Sequence, residues 1–272
     1  MKIGLIAGGG EFPGLFAGKA SEKGYEIYAA AYINEADSKL SECVHALEWI
    51  HLGQVSRLLK YFKKNGIQQA VMLGTVKKTR IFTDIKPDFK AVSFIASLGR
   101  THDDQILTAF ADLLEKEGIR VLPSTFLIPE IVNKRGVWTK RKPSKTEKHD
   151  IRVGWPIAKE IGRFDVGQCI VVGNGSVLAV EAVEGTDAAI KRGAQLSGGT
   201  AVVIKVAKPG QDLRFDMPTS GCKTVETMHR YGATALVLEA EKSISFERNR
   251  MIELADQHDI AIQAMSSKDF QG

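Results

Sequence analysis

The chain has 272 residues, 44% of them hydrophobic and 25% charged, with a formal net charge of +5. That length is generous for one domain and comfortable for two, and the composition is that of an ordinary globular protein. There is no run of about 18 apolar residues, which excludes a membrane-spanning helix, and the glycine-rich start is too short an apolar stretch for a signal peptide. Cys43, Cys169 and Cys222 show neither disulfide arithmetic nor zinc spacing, so a cytoplasmic protein is expected.

Lys2–Ala7 reads as a buried strand, and Gly8-Gly9-Gly10 as the turn after it. Pro13 then opens a helix ending near Gly24. Glu26–Tyr32 is the next strand. Gln54–Asn65 has helical spacing of Val55, Leu58, Leu59 and Phe62 and stops at Gly66. Ala70–Leu73 is a short strand running into Gly74-Thr75. Asp104–Glu117 is a strong helix, and Ile119–Leu122 another strand. This alternation predicts a Rossmann-like parallel sheet with helices on both faces over residues 1–132.

Residues 133–148 interrupt the pattern with seven Lys/Arg and one acid, Glu147. They read as a basic linker over 133–150, either simply solvated or drawn to an anionic membrane or phosphate. Nucleic acid is disfavoured, because no aromatic stacking pattern or base-reading motif accompanies the charge. Over 151–272 a second, mixed α/β domain is expected. Gln168–Val172 and Val177–Val183 form a hairpin at Gly173-Asn174-Gly175. Thr186–Leu196, Lys223–Tyr231 and Phe246–Gln257 read as helices, and Ala201–Val206, Ala235–Leu238 and Ile260–Ala264 as strands.

Several stretches carry chemistry. Gly8, Gly9 and Gly10 sit between a strand and a helix, where backbone amides can approach a phosphate; the alternative is a plain tight turn. They do not make a Gly-x-Gly-x-x-Gly fingerprint or a P-loop. Gly74, Thr75, Lys77 and Arg80 follow a strand of the same sheet and so should neighbour the glycine turn, with the two cations suited to a diphosphate or merely solvated. Thr101 and the pair Asp103, Asp104 open a helix. They suit a cap and the helix dipole, or a divalent cation. Thr186 and Asp187 likewise suit either a helix start or a ligand.

The densest stretch is Lys208–Gly221, with Lys208, Asp212, Arg214 and Asp216 between Pro209 and Pro218. A polar, stiffened loop directly after a buried strand is where α/β folds place chemistry. Paired acids beside two cations suit metal-assisted phosphoryl chemistry, or a structural salt-bridge loop. The histidines show no ligand spacing, and no Ser-His-Asp order argues for acyl transfer.

Taken together, Leu5–Pro13, Asp103-Asp104-x-x-Leu107, Glu184–Ala188 and Lys208-Pro209-x-Gln211-Asp212-x-Arg214-x-Asp216-x-Pro218-x-x-Gly221 resemble the LpxI-type UDP-2,3-diacylglucosamine pyrophosphatases of lipid A biosynthesis, over essentially the whole chain. The resemblance implies a two-domain enzyme with its lipid between the halves. It implies Mg²⁺-dependent hydrolysis of UDP-2,3-diacylglucosamine to UMP and 2,3-diacylglucosamine 1-phosphate (lipid X), with water attacking the sugar-side phosphorus. Asp216 matches the acid of the family's Arg-x-Asp-x-Pro stretch and is the expected essential residue, with Asp212, Arg214 and Lys208 beside it. The expected metal residues are Asp216, Asp103 and Asp104, and the expected substrate-binding residues lie in the remaining stretches above. Arg100-Thr101-His102 departs from the glycine-rich lead expected before the Asp pair. Phe94, Ile95, Leu98, Leu107 and Phe110 are candidates for an acyl-chain chamber, or for plain core. A basic enzyme drawing a two-chain lipid from a bilayer should dwell at the inner membrane as a peripheral protein; a homo-oligomer is left open. The competing readings are a nucleotide-dependent oxidoreductase, against which the incomplete glycine fingerprint speaks, and a nucleotide or phospholipid sensor without turnover.

Overall fold

The computed structural model describes residues 1–76, 86–98 and 103–270, with residues 95, 97, 98 and 103–105 described by backbone alone. The chain divides into two units: Met1–Pro129 with Asp212–Asp216, and Glu130–Gln211 with Met217–Gly272.

The first unit runs β1 (Lys2–Ala7), α1 (Phe12–Glu22), β2 (Glu26–Tyr32), β3 (Ala46–Ile50), α2 (Val55–Lys64), β4 (Gln69–Leu73), α3 (Phe89–Leu98), α4 (Asp103–Lys116) and β5 (Arg120–Val121). Its sheet has the order β3-β2-β1-β4-β5, and every pairing is parallel. Both faces of such a sheet are covered, so its strands read as continuous apolar runs; five of the six residues of β1 are buried. Ile6, Tyr28, Ala30, Ala70 and Met72 form one core with Leu58, Leu59 and Phe62 of α2, Ala91 of α3, and Ala111 and Leu114 of α4. Gly4 lies on this face, where a Cβ would stand 2.9 Å from the Phe62 ring. Phe16, Ala17 and Ala20 of α1 are fully buried outside that core, where α1 packs on β2. The strand order reverses between β1 and β4. In doubly wound sheets that reversal opens a crevice at the carboxyl ends of the two strands.

The second unit runs β6 (Gly136–Val137), α5 (Lys145–Arg163), β7 (Cys169–Gly173), β8 (Ser176–Val180), α6 (Thr186–Leu196), β9 (Ala201–Lys205), β10 (Thr219–Ser220), α7 (Cys222–Tyr231), β11 (Ala233–Glu239), β12 (Ile244–Ser245), α8 (Arg248–Gln257) and β13 (Ala261–Met265). Its main sheet, β6-β13-β11-β9-β7-β8, is parallel across β13-β11-β9 and antiparallel elsewhere; β10 and β12 form a small parallel ladder. The β7–β8 hairpin turns on Asn174 and Gly175, whose φ angles of 52° and 73° are the positive pair that a two-residue turn of matching twist requires. The parallel sheet of the first half and the mixed α/β second half expected from the sequence are both present.

The basic stretch differs from its expected linker character. Gly136 and Val137 pair with β13, and Ser144 caps α5 in a capping box with Glu147. Arg141 holds Glu147 through two hydrogen bonds, 2.8 Å and 2.9 Å, and the carboxyl also accepts from Thr234 at 2.7 Å. Burial works against ionisation of Glu147, but these bonds outweigh it and hold its pKa down at about 2.

Candidate functional site

The glycine turn and Gly74-Thr75 do meet, at the carboxyl ends of β1 and β4. The Gly8 amide donates to the Leu73 carbonyl at 2.8 Å; Gly9 and Thr75 exchange backbone hydrogen bonds of 2.8 Å and 2.9 Å. The contact needs glycine. A Cβ on Gly8 would lie 2.6 Å from the Thr75 oxygen, and one on Gly74 would lie 2.6 Å from the Gly9 oxygen, with Gly74 also at φ +89°. Two of the three amides expected to cradle a phosphate therefore already donate to carbonyls of the same unit. What stays open is the start of α1, where Gly10, Glu11, Pro13 and Gly14 line a groove with Asp37 and Lys39 from the turn after β2.

The stretch Lys208–Gly221 is held by charged side chains as well as by backbone. Asp212 accepts from the Arg214 amide at 3.0 Å and from its guanidinium at 2.7–3.0 Å, in a close bidentate pair. Arg214 also bonds Glu115 of α4 at 2.9 Å, while its carbonyl accepts from the Ser124 amide at 2.5 Å. Burial raises the Asp212 pKa, and the Arg214 bonds more than offset it, so the carboxyl sits below its ordinary value. The same pairing raises the pKa of Arg214. Phe215 packs against the core of the first unit. The Asp216 amide donates to the Asp212 carbonyl at 3.3 Å, which closes a tight turn and leaves Asp216 half-buried at its end. Asp212, Arg214 and Asp216 thus belong to the first unit, as do the glycine turn and Thr75.

Lys208, Thr186 and Asp187 belong to the second unit. Lys208 bonds Asp165 at 2.5 Å, and its amide donates to Gln211 at 2.9 Å. The Thr186 hydroxyl donates to Glu181 at 2.7 Å and accepts from Lys205 at 3.2 Å, so its single donor is taken within the unit. Asp187 pairs with Lys223 at 2.8 Å on the surface. Asp103 and Asp104 form the first turn of α4, and their side chains lie outside the described residues, as do Lys77, Arg80 and Thr101 altogether. Of the chamber candidates, Leu107 and Phe110 pack on the first core, and the Phe94 and Phe110 rings stand 6.2 Å apart edge to face. Ile95 and Leu98 have no described side chains.

Sequence reasoning missed Asp165, Glu115, Glu181, Lys159, Lys205 and Glu239. Each is a single charge within an otherwise ordinary helix, strand or turn, and most have partners distant in sequence; Arg214 and Glu115 are 99 residues apart.

A magnesium ion commonly takes one or two carboxylates and completes its shell with water and phosphate oxygens. Asp216 fits that donor chemistry. Asp212 does not in this arrangement, since both its oxygens accept from Arg214. Among the described residues no group of three or more His, Cys, Asp or Glu side chains could hold a metal.

An all-parallel doubly wound unit with a glycine-lined switch point and a separate mixed unit define a two-unit α/β protein. The chain belongs to the LpxI family: the LpxI N-terminal domain matches residues 2–131 and the LpxI C-terminal domain residues 134–263. It is 32% identical over 266 residues to the UDP-2,3-diacylglucosamine pyrophosphatase LpxI of Caulobacter vibrioides, covering 94% of each chain. Likeness to solved structures is slight. The biotin carboxylase domain of Hydrogenobacter thermophilus 2-oxoglutarate carboxylase matches with a TM-score of 0.27 at 13% identity, over 64% of this chain and 35% of that one. N5-carboxyaminoimidazole ribonucleotide synthetase of Thermotoga maritima matches with a TM-score of 0.24 at 15% identity, over 67% and 42%. Neither carries a functional argument.

Proposed function

We propose that this chain hydrolyses the diphosphate of UDP-2,3-diacylglucosamine, giving UMP and lipid X. The observation that carries the reading is full-length membership of a family whose Caulobacter relative bears that activity in its name. The loop chemistry supports it. Attack on a diphosphate needs neutralised non-bridging oxygens, a positioned water and a stabilised leaving phosphate.

Water forms its new bond to the sugar-side phosphorus. The bond from that phosphorus to the bridging oxygen breaks, and UMP departs with that oxygen. A carboxylate takes the proton lost by the water, and Asp216 is assigned to the reacting centre. Asp212 orients Arg214 through the bidentate pair and thereby holds a cation beside Asp216 in the chain. Lys208 is the second cation of the loop. Asp216, with Asp103 and Asp104 as the other acids, would hold Mg²⁺, which when bound would supply charge neutralisation on the phosphates. The start of α1 with Gly10, together with Thr75, Lys77, Arg80 and Thr101, is assigned to the substrate.

A lipid substrate with two acyl chains implies work at the cytoplasmic face of the inner membrane, where the net positive charge favours an anionic surface. No helix among the described residues is long and apolar enough to cross a bilayer. Incubation with UDP-2,3-diacylglucosamine and Mg²⁺, with UMP followed by chromatography, tests the reading. UMP release is expected, and its absence at high enzyme concentration would sink the assignment.

A further inference from the structure

Two lysines of the second unit, Lys205 buried and Lys159 partly buried, sit at the two stems of the 208–221 loop, and neither is used by the reaction scheme above. Lys159 of α5 donates to the Ala207 carbonyl at 2.6 Å and to both oxygens of Glu239, at 2.8 Å and 3.1 Å. Glu239 in turn accepts from the Ala207 amide at 2.9 Å. Both polar backbone groups of Ala207, the residue before Lys208, are therefore fixed by one ion pair whose carboxylate is 3% exposed. Gly162 lets α5 come close here, since a Cβ at that position would stand 3.2 Å from Lys208 Cα.

At the other stem, Lys205, 6% exposed at the end of β9, donates to the Thr219 carbonyl at 2.6 Å. Its second bond goes to the Thr186 hydroxyl, which passes on to Glu181. A buried ammonium is costly unless it is hydrogen-bonded, and a methionine would fill either space more cheaply. Two such lysines, each spent on a main-chain carbonyl at opposite ends of one loop, call for a reason beyond core stability.

We propose that Lys159, with Glu239, and Lys205 are positioning residues, two clamps that fix the chain within the second unit at Ala207 and at Thr219, on either side of the loop. The clamps thereby fix the span available to Asp212–Asp216, the segment that carries the acid of the reaction. The inference rests on the functional reading above, because it assigns the clamps a role in that turnover. Small displacements of a reacting group are expensive, about 100-fold in rate for a shift near 1 Å.

The test separates local loosening from general destabilisation. In Lys205→Met, hydrogen–deuterium exchange of peptides spanning 206–220 is expected to speed up about tenfold or more, with β7, β9 and β11 as protected as in the wild type. Turnover of the same variant is expected to show kcat reduced about tenfold or more and KM within about twofold. Lys205→Arg, which keeps a donor, is expected to recover most of both. The pair Lys159→Met with Glu239→Gln removes both charges of the other clamp together, so no lone buried charge is left, and it repeats the test should Lys205→Met not fold. Unchanged exchange in 206–220, or exchange raised equally throughout the second unit, overturns the proposal. Absence of UMP from the wild-type chain would instead sink the functional reading, and the exchange data would still decide the clamps.

Discussion

The two loops of this protein that carry the most chemical signal are built in different ways. The glycine turn at residues 8–10 is closed by backbone: the Gly8 and Gly9 amides donate to the carbonyls of Leu73 and Thr75, and glycine is needed at position 8, where a side chain would strike the Thr75 carbonyl oxygen. The loop at 208–221 adds side chains to its backbone bonds: Asp212 on Arg214, Arg214 on Glu115, Lys208 on Asp165, and the lysines at its stems. A backbone-closed turn is rigid and chemically neutral, so it presents the start of a helix and little else. A loop held also by charged side chains stores charge, and a change in one partner redistributes it. The second kind is suited to reaction chemistry, which is why the proposed function assigns Asp216 to the reacting centre.

That contrast can be broken. The largest effect is expected from Asp216→Asn: UMP release falls about 100-fold or more, with the circular dichroism spectrum unchanged. Near-normal turnover would remove Asp216 from the reaction. Gly8→Ala and Gly74→Ala come next and act on folding, each lowering stability by about 1–3 kcal/mol in urea titration through overpacking, with strain added at Gly74. If both were neutral, the close backbone contact would be absent. Arg214→Ala is expected to cost about tenfold in kcat and to raise the pKa of Asp212 toward its ordinary value, followed by carboxylate NMR. No shift would mean that the pair does not hold Asp212 ionised.

The smallest effect lies outside both loops, at Glu147. Its pKa is depressed from 4.5 to about 2. Its contribution to stability is therefore complete above its ordinary value and is lost as pH falls from about 4.5 through about 2. The wild type should lose stability across that window more steeply than Glu147→Gln, compared by urea midpoints at about pH 5 and pH 3. Parallel losses would show that Arg141 does not hold the carboxylate.

Much of the fold is legible in the sequence where periodicity and punctuation agree. Glu26–Tyr32 and Thr186–Leu196 fall where the pattern places them, and Asn174-Gly175 makes its turn. Other elements escaped for definable reasons. β3 is an edge strand, half-buried along most of its length with Glu48 in its middle, so it shows no clear alternation. α5 begins inside the basic run, whose charge masked the Ser144–Glu147 capping box. β10 and β12 are two-residue ladders, too short for any pattern.

In the loop, the Asp-x-Arg-x-Asp spacing was visible, and with it the candidate acids. The bidentate Asp212–Arg214 pair is local, two residues apart, yet which of the two acids would take the arginine depends on how the turn closes. The side-chain partner of Lys208 lies 43 residues away and the partners of the stem lysines 14 to 80 residues away, and only folding brings them together. The glycine turn taught the reverse lesson. Its residues were correctly placed beside Gly74-Thr75, but the sequence has no mark for amides already engaged.

The central claim, hydrolysis of a lipid-linked diphosphate by water attack at the sugar-side phosphorus, is tested most directly in ¹⁸O-water. The wild-type chain is incubated with UDP-2,3-diacylglucosamine and Mg²⁺, and both products are weighed by mass spectrometry. One ¹⁸O in the phosphate of lipid X and none in UMP is the predicted result; label in UMP, or no products at all, would contradict the account.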